Sequence, residues 1–283
     1  MIKKVLIMGG AGFIGFNIAK FLQKKTNYHI TIADNLSRGK MDSYLSDFIS
    51  NDNVKFIEGD FTKEDTYKKL GNEYDYFYML AAVVGVNNTL KIPGEVIRIN
   101  TSLILHTLEW LKKGNAKNVV FTSTSENYAG TIDHFGYQIP TPEEVPLSIV
   151  DISHPRYTYA VTKILGESGF LNYAKSYGFN CTVVRYHNVY GPVGTYDGGR
   201  EKAPAALCRK IALSKLNNIK DIEVWGDGNQ TRSFMYITDC LEGTQKLFNS
   251  ELSEPYNVGS DEQVSINQMI EMIEEIADYK VER

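Results

Sequence analysis

Short apolar runs rich in β-branched residues alternate with longer stretches in which apolar positions recur every three or four residues. Val5-Leu6-Ile7-Met8 reads as a strand, and Gly12 to Lys25 as a helix with Phe13, Ile14, Ile18, Phe21 and Leu22 on one side. HITIAD (29–34), NVKFIEGD (53–60), YDYFYML (74–80), KNVVFTS (117–123) and CTVVRYH (181–187) read as further strands. Pro93 opens a helix to about Lys113, with Gly114 as its stop, and another helix covers about Arg156 to Tyr177. Strands that are continuously apolar are covered on both faces, and their alternation with helices predicts a parallel sheet. The expected fold class is therefore α/β, a doubly wound, Rossmann-type parallel sheet.

After about residue 190 the pattern changes. Helices over about 201–216, 239–249 and 265–277, a short strand at IEVW (222–225) and another near PYNVG (255–259) read as a smaller mixed α/β lobe. The expected division is 1–188 for the sheet domain and 189–283 for the lobe. Four of the eight prolines (140, 142, 146 and 155) fall in the 130–155 connection, which reads as a functional rim or lid.

Composition narrows the function. Thirty basic and 34 acidic residues leave a net charge of −4, with no basic run or basic–aromatic stripe, so a nucleic-acid partner is not expected. Cys181, Cys208 and Cys240 cannot all pair in one chain and form no C-x-x-C. That points to a reducing cytoplasm and away from a disulfide framework. The five histidines show no ligand spacing, so no metal is expected. The apolar run in MIKKVLIMGG is too short for a signal peptide, and no stretch reaches the ~18 apolar residues of a membrane helix.

GGAGFIG (9–15) follows the first strand and opens the first helix, with Gly9, Gly12 and Gly15 three apart. Glycines in that order supply a tight turn, close backbone approach to a pyrophosphate and close helix–strand packing, and the helix start offers free N–H groups. Asp34 ends the second strand, 19 residues past Gly15. A carboxylate there bonds ribose hydroxyls and repels a 2′-phosphate, so NAD is the expected cofactor. Asp60, ending the third strand, reads either as an adenine contact or as a strand-end cap.

Of 18 tyrosines, only Tyr159 has a lysine four residues on, Lys163. The spacing puts both on one helix face. A nearby ammonium favours the phenolate, which lets the tyrosine act as general base toward an alcohol. Ser123-Thr124-Ser125-Glu126 ends the preceding strand at the carboxyl edge, where ligands of such sheets sit.

GGAGFIG, Asp34, STSENY, YAVTK, RYHNVYGP and WGDGNQTRSF together resemble the extended short-chain dehydrogenases/reductases of the nucleotide-sugar epimerase/dehydratase type, over essentially the whole chain. HNVYGPVGTYDGGREKAPAALCRKI, WGDGNQTRSF and VGSDEQVSINQM resemble the GDP-mannose 3,5-epimerases and related bacterial enzymes acting on GDP-manno sugars, GDP-heptoses among them. The resemblance implies that Tyr159 takes the proton of a sugar hydroxyl, usually at C4, while hydride passes to a tightly held NAD. Lys163 would hold the nicotinamide ribose and tune Tyr159, and Thr124 would position the sugar oxygen. The implied cofactor set adds Phe13, Ile14, Asn35, Ser37, Phe61, Leu80, Ala81, Ala82, Asn100, Thr122 and Tyr186. The implied substrate set is Ser125, Asn188, Lys202, Trp225 and Arg232, with Asn188 and Arg232 on the diphosphate. Trp225 reads equally as small-lobe core, Tyr128 as loop packing, and Arg185 as a structural ion-pair partner. Helices 93–113 and 156–177 would form a homodimer interface. Relatives continue past Arg283, so the tail that covers the nucleotide is expected to be missing from this chain.

The sequence departs from the 3,5-epimerases at two places. Glu126 stands where they carry a cysteine, and Asp197 where they carry a lysine. Thr124-Ser125-Glu126 instead resembles the Thr-Ser-Glu of GDP-mannose 4,6-dehydratases, in which the glutamate removes the C5 proton beside a C4 ketone. Oxidation at C4 is common to all these readings. The ketone's fate stays open among release, dehydration by Glu126, and epimerisation at C4 or at C3/C5. Decarboxylation and a non-catalytic NAD-binding scaffold stand further off.

Overall fold

Val5, Leu6, Ile7 and Met8 have no exposed surface, as expected of a strand covered on both faces. The structure is a computed structural model that describes residues 2–24, 27–37, 39–198, 201–250, 252 and 254–283. Its first half runs β1 (Lys3–Met8), α1 (Phe13–Gln23), β2 (Tyr28–Asp34), α2 (Ser43–Ile49), β3 (Val54–Glu58), β4 (Tyr74–Met79), α3 (Val86–Lys91), α4 (Pro93–Leu111), β5 (Ala116–Thr124), α5 (Ala129–Phe135), α6 (Thr158–Tyr177) and β6 (Asn180–Tyr186). It continues through β7 (Val189–Tyr190), α7 (Ala203–Asn217), β8 (Thr231–Ser233), β9 (Met235–Tyr236), α8 (Ile237–Phe248), β10 (Pro255–Val258), β11 (Gln263–Ser265) and α9 (Ile266–Ala277). Lys25, Gly199 and Arg200, which fall in the expected first helix and in the GGREKAP segment, lie outside the described residues.

The chain forms two compact units, Met1–Tyr186 with Leu241–Val258, and His187–Cys240 with Gly259–Arg283. The first holds a seven-stranded sheet in the order β10-β6-β5-β4-β1-β2-β3, with every pairing parallel. This is the expected doubly wound α/β sheet. The order reverses between β1 and β4, the switch point at which such sheets bind ligands beyond their carboxyl ends. The core gathers Leu6, Met8, Phe77, Met79, Val119, Phe121 and Phe170, with Phe121 and Phe170 stacked at 4.5 Å. That stack seats α6 on β5.

Two expectations are corrected. PYNVG is not part of the smaller lobe: its strand, β10, pairs with β6 in the main sheet. There Asn257 N donates to Glu143 Oε1 at 3.0 Å and Tyr128 Oη to Asn257 Oδ1 at 3.0 Å. The chain thus returns to the first unit over 241–258, where a single boundary at 188/189 was expected. IEVW (222–225) is not a strand, and only an isolated bridge joins Asp221 to Glu282. Its alternation arises because Ile222 and Val224 pack on the cluster of Leu207, Ile211, Met269 and Ile270 between α7 and α9, with no strand alongside.

The second unit adds two small pairings, β11 with β8 and β7 with β9. Ser265 and Gln268 close a capping box at the start of α9. Within 130–155, the segment after α5 is fastened by Gly130 N to Ser148 O (3.0 Å) and by Thr131 to the Pro146 carbonyl. Among the described residues no helix is long and apolar enough to cross a membrane.

Candidate active site

The Met8 carbonyl accepts from Leu80 N at 2.9 Å and Ala81 N at 3.0 Å, which lays the end of β4 against the glycine loop. Gly9 sits at φ +83°, and a Cβ there would lie 2.6 Å from Ala81 N. At Gly15 a Cβ would run into the Gly9 carbonyl oxygen. Gly12 opens α1 with no side-chain cap and no acidic residue in the first turn, so no side chain satisfies the first N–H groups of the helix. A loop of three glycines and one alanine ending in an uncapped helix start fits a dinucleotide pyrophosphate.

Asp34 holds this loop from the side. Its carboxylate accepts from Ala11 N at 3.0 Å and Leu36 N at 2.8 Å. Burial raises its pKa, against the lowering effect of the Leu36 and Ala11 bonds. With a third backbone bond from Asn35, three of the carboxylate's roughly four acceptor sites are used, so capacity for a ribose hydroxyl remains. Asn35 and Ser37 form the turn that follows, Asn35 Oδ1 accepting from Ser37 N at 3.0 Å. Asp60 accepts from Thr62 Oγ1 (2.7 Å) and Thr62 N (3.1 Å), bonds that hold its pKa down.

Other expected cofactor residues are engaged within the unit. Phe61 is buried edge-on to Tyr67 at 5.4 Å. Thr122 Oγ1 donates to Met79 O at 2.9 Å, and the Tyr186 hydroxyl bonds Thr244 at 2.8 Å. Asn100, buried in α4, accepts from Val83 N at 2.7 Å and donates to Val83 O at 3.1 Å. It thereby stands in for a strand partner of the segment after β4, and so fixes Leu80, Ala81 and Ala82 beside Gly9.

Tyr159 is half-buried in the first turn of α6, and Lys163 follows one turn on with 4% exposure. Lys163 Nζ donates to Thr122 O at 2.6 Å and lies 5.8 Å from the Tyr159 ring centroid and 4.9 Å from that of Phe121. Burial pushes the Lys163 pKa down to about 8, opposed by the charge of Glu167. Thr124, the last residue of β5, is buried at the carboxyl edge, and its Oγ1 accepts from Glu126 N at 3.3 Å. Ser125 and Glu126 lie half-buried on the turn that follows. The Glu126 carboxylate is 3.9 Å from Arg156, with 42% of its side chain exposed.

Beneath this turn lies a network that the sequence reading did not assemble. Glu167 Oε1 accepts from Ser123 Oγ (2.5 Å), Asn127 Nδ2 (2.8 Å) and Arg185 Nε (2.9 Å), while Oε2 takes Arg185 Nη2 at 2.7 Å. Arg185 also donates to the buried Tyr128 hydroxyl. Glu167 stands four residues beyond Lys163, and that spacing was the available signal.

In the second unit Asn188 and Lys202 come together, Lys202 Nζ donating to Asn188 Oδ1 at 3.1 Å. Asn188 Nδ2 donates to Ser233 O at 3.1 Å. Arg232 is exposed on β8, donating to its neighbour Thr231 O at 2.7 Å. Trp225 is 78% exposed, which corrects its reading as small-lobe core. Asp197 pairs with Arg209 at 3.5 Å, so an anion occupies the position where 3,5-epimerases carry a lysine. Among the described residues no group of His, Cys, Asp and Glu could hold a metal ion.

The profile of the NAD dependent epimerase/dehydratase family matches residues 5–259. The chain is 34% identical to GDP-mannose 3,5-epimerase 1 of Oryza sativa subsp. indica over 271 residues, 95% of this chain and 68% of that protein. It is 33% identical to UDP-N-acetyl-alpha-D-glucosaminuronate decarboxylase of Bacillus cytotoxicus over 278 residues, 98% of this chain and 81% of that one. Among solved structures, UDP-glucose 4-epimerase of Thermotoga maritima with UDP-glucose superposes with a TM-score of 0.83 at 27% identity, covering 99% of this chain and 84% of that one.

Proposed function

The chain belongs to the NAD dependent epimerase/dehydratase family, and from that premise we propose that it oxidises the C4 hydroxyl of a nucleotide sugar. The substrate we propose is a GDP-manno-type sugar such as a GDP-heptose, and the product a 4-keto GDP-sugar destined for surface polysaccharide. The observation that carries the reading is the buried Lys163 ammonium, bonded to Thr122 O at 2.6 Å and set 5.8 Å from the Tyr159 ring.

Tyr159 takes the C4 hydroxyl proton as general base, and the neighbouring Lys163 cation favours the phenolate that does so. Thr124 bonds the same sugar oxygen and orients it. NAD, held by Gly9, Gly12, Phe13, Ile14 and Asp34, supplies the hydride acceptor when bound. On the second unit, Lys202, Asn188 and Arg232 are assigned to the diphosphate, where a guanidinium binds two oxygens at once. The GDP assignment is supported by 34% identity to a GDP-mannose 3,5-epimerase. Release of the ketone without further proton transfer at C3 and C5 is supported by Glu126 and the arginine-paired Asp197. The alternative is dehydration, favoured by one observation: the Glu126 carboxylate is half-exposed on the turn after Thr124.

We assign a homodimer built on α4 and α6, where Ile97, Leu105 and Leu165 stay 43–49% exposed. Light scattering tests that assignment. Three free thiols are in keeping with a reducing compartment such as the cytoplasm.

The functional test is mass spectrometry of products in deuterated buffer, with GDP-mannose and a GDP-manno-heptose first and UDP-, dTDP- and CDP-sugars after. Loss of two hydrogens is the expected result. Loss of water would move Glu126 to C5 chemistry, and deuterium uptake alone would mean epimerisation at C3 or C5. No turnover of any sugar by the NAD-loaded protein would overturn the reading.

A further inference from the structure

A single carboxylate brackets the turn that carries Thr124, Ser125 and Glu126. Ser123 stands just before these residues and Asn127 just after them. Both donate to the same atom, Glu167 Oε1, at 2.5 and 2.8 Å, and Asn127 Nδ2 also reaches Ser123 Oγ at 3.0 Å. Glu167, Ser123 and Asn127 are buried, and Asn127 has no exposed surface. Only an amide's NH2 can face a carboxylate, so Glu167 fixes which way Asn127 points and leaves its Oδ1 without a partner. Arg185 completes the set from β6 with two bonds to the Glu167 carboxylate, so the clamp has little rotational freedom. Glu167 lies on α6 one turn beyond Lys163 and two beyond Tyr159. It therefore ties the strand-end turn to the helix that carries the general base.

We infer that Glu167 is a positioning residue: its carboxylate sets Thr124 and Glu126 in register with Tyr159 by holding both ends of their turn. The inference rests on the reading of Thr124 and Tyr159 given above. Glu167 touches neither substrate nor cofactor in this role. Positioning by a ring of hydrogen bonds is a rate effect, because a displacement of about 1 Å at a reacting group can cost on the order of 100-fold.

The test compares holoenzyme of the wild type, Glu167→Gln, Asn127→Ala and Tyr159→Phe. Hydrogen exchange of the peptide 122–128 needs no substrate. It is expected to quicken at least tenfold in both clamp variants, with the rest of β5 and the glycine loop unchanged. On whichever sugar the wild type turns over, kcat is expected to fall 10- to 100-fold in Glu167→Gln while KM moves less than threefold. A Thr124→Val substitution should then cost much less in the Glu167→Gln background than alone. Unchanged exchange at 122–128, wild-type kcat, or additive losses with Thr124→Val would overturn the clamp. Should Glu167→Gln not fold, Asn127→Ala keeps the ion pair and decides the matter by the same exchange and kcat readings. Wild-type activity in Tyr159→Phe would instead sink the site reading, and the exchange data would still judge the clamp.

Discussion

Lys163 Nζ donates to the backbone carbonyl of Thr122 at 2.6 Å, two residues before Thr124 ends β5. The bond joins the helix that presents the tyrosine to the strand that presents the threonine, and it fixes the cation where it can act on both. Its cost is the burial of a charge, visible in the Lys163 pKa of about 8.

That cost has a pH signature. The fall from the ordinary 10.5 to about 8 corresponds to about 3 kcal/mol, unfavourable to folding wherever the folded lysine is charged. Below pH 8 the penalty is fully present. Between pH 8 and 10.5 the unfolded chain binds more protons than the folded one, so stability rises with pH. Urea unfolding of wild type and Lys163→Met should show the wild type gaining about 3 kcal/mol on the variant between pH 7 and 10.5. A difference independent of pH would show that Lys163 is not buried as a cation.

Tyr159→Phe removes the hydroxyl proposed as the proton acceptor. A general base contributes roughly 100- to 10,000-fold, so kcat should fall about a thousandfold. Bound NAD and the melting temperature should stay near those of the wild type.

The glycine loop allows a sharp test of the cofactor cradle. In Gly15→Ala the new Cβ meets the Gly9 carbonyl oxygen, and in Gly9→Ala it meets Ala81 N at a backbone φ of +83°. Both should weaken NAD binding at least tenfold in titration calorimetry and lower stability by about 1–3 kcal/mol.

Arg185 and Glu167 form a buried ion pair at 2.7 Å, with 5% of each side chain exposed. Arg185→Met leaves a buried carboxylate unpaired and should cost about 3–5 kcal/mol in urea unfolding. Adding Glu167→Leu removes the unpaired charge but strands the buried Ser123 hydroxyl and Asn127 amide, so it should recover only part of that loss.

The main sheet was legible because its strands are continuous apolar runs, and Val5–Met8 and Phe121 are buried as those runs require. The glycine loop and the Tyr159–Lys163 spacing were legible because each is local in the chain. The short helices α2, α3 and α5 are six or seven residues long, too brief to show a period of 3.6. Ile222 and Val224 mimic a strand because packing on two helices also selects alternate residues. β10 gave no sign of its partner, since pairing with β6 depends on side chains such as Glu143 and Tyr128 far off in sequence. Of the Glu167 clamp only the Lys163–Glu167 spacing and Arg185 as an ion-pair partner were legible, because Ser123, Asn127, Glu167 and Arg185 converge only once three elements are in place.

The most direct test of C4 oxidation uses a GDP-manno sugar deuterated at C4 in a single turnover with NAD-loaded protein. Absorbance at 340 nm should rise, the reduced cofactor should carry the deuterium, and Tyr159→Phe should show neither. Reduced cofactor without the label, or a sugar changed with the C4 deuterium still in place and never transferred, would contradict the account.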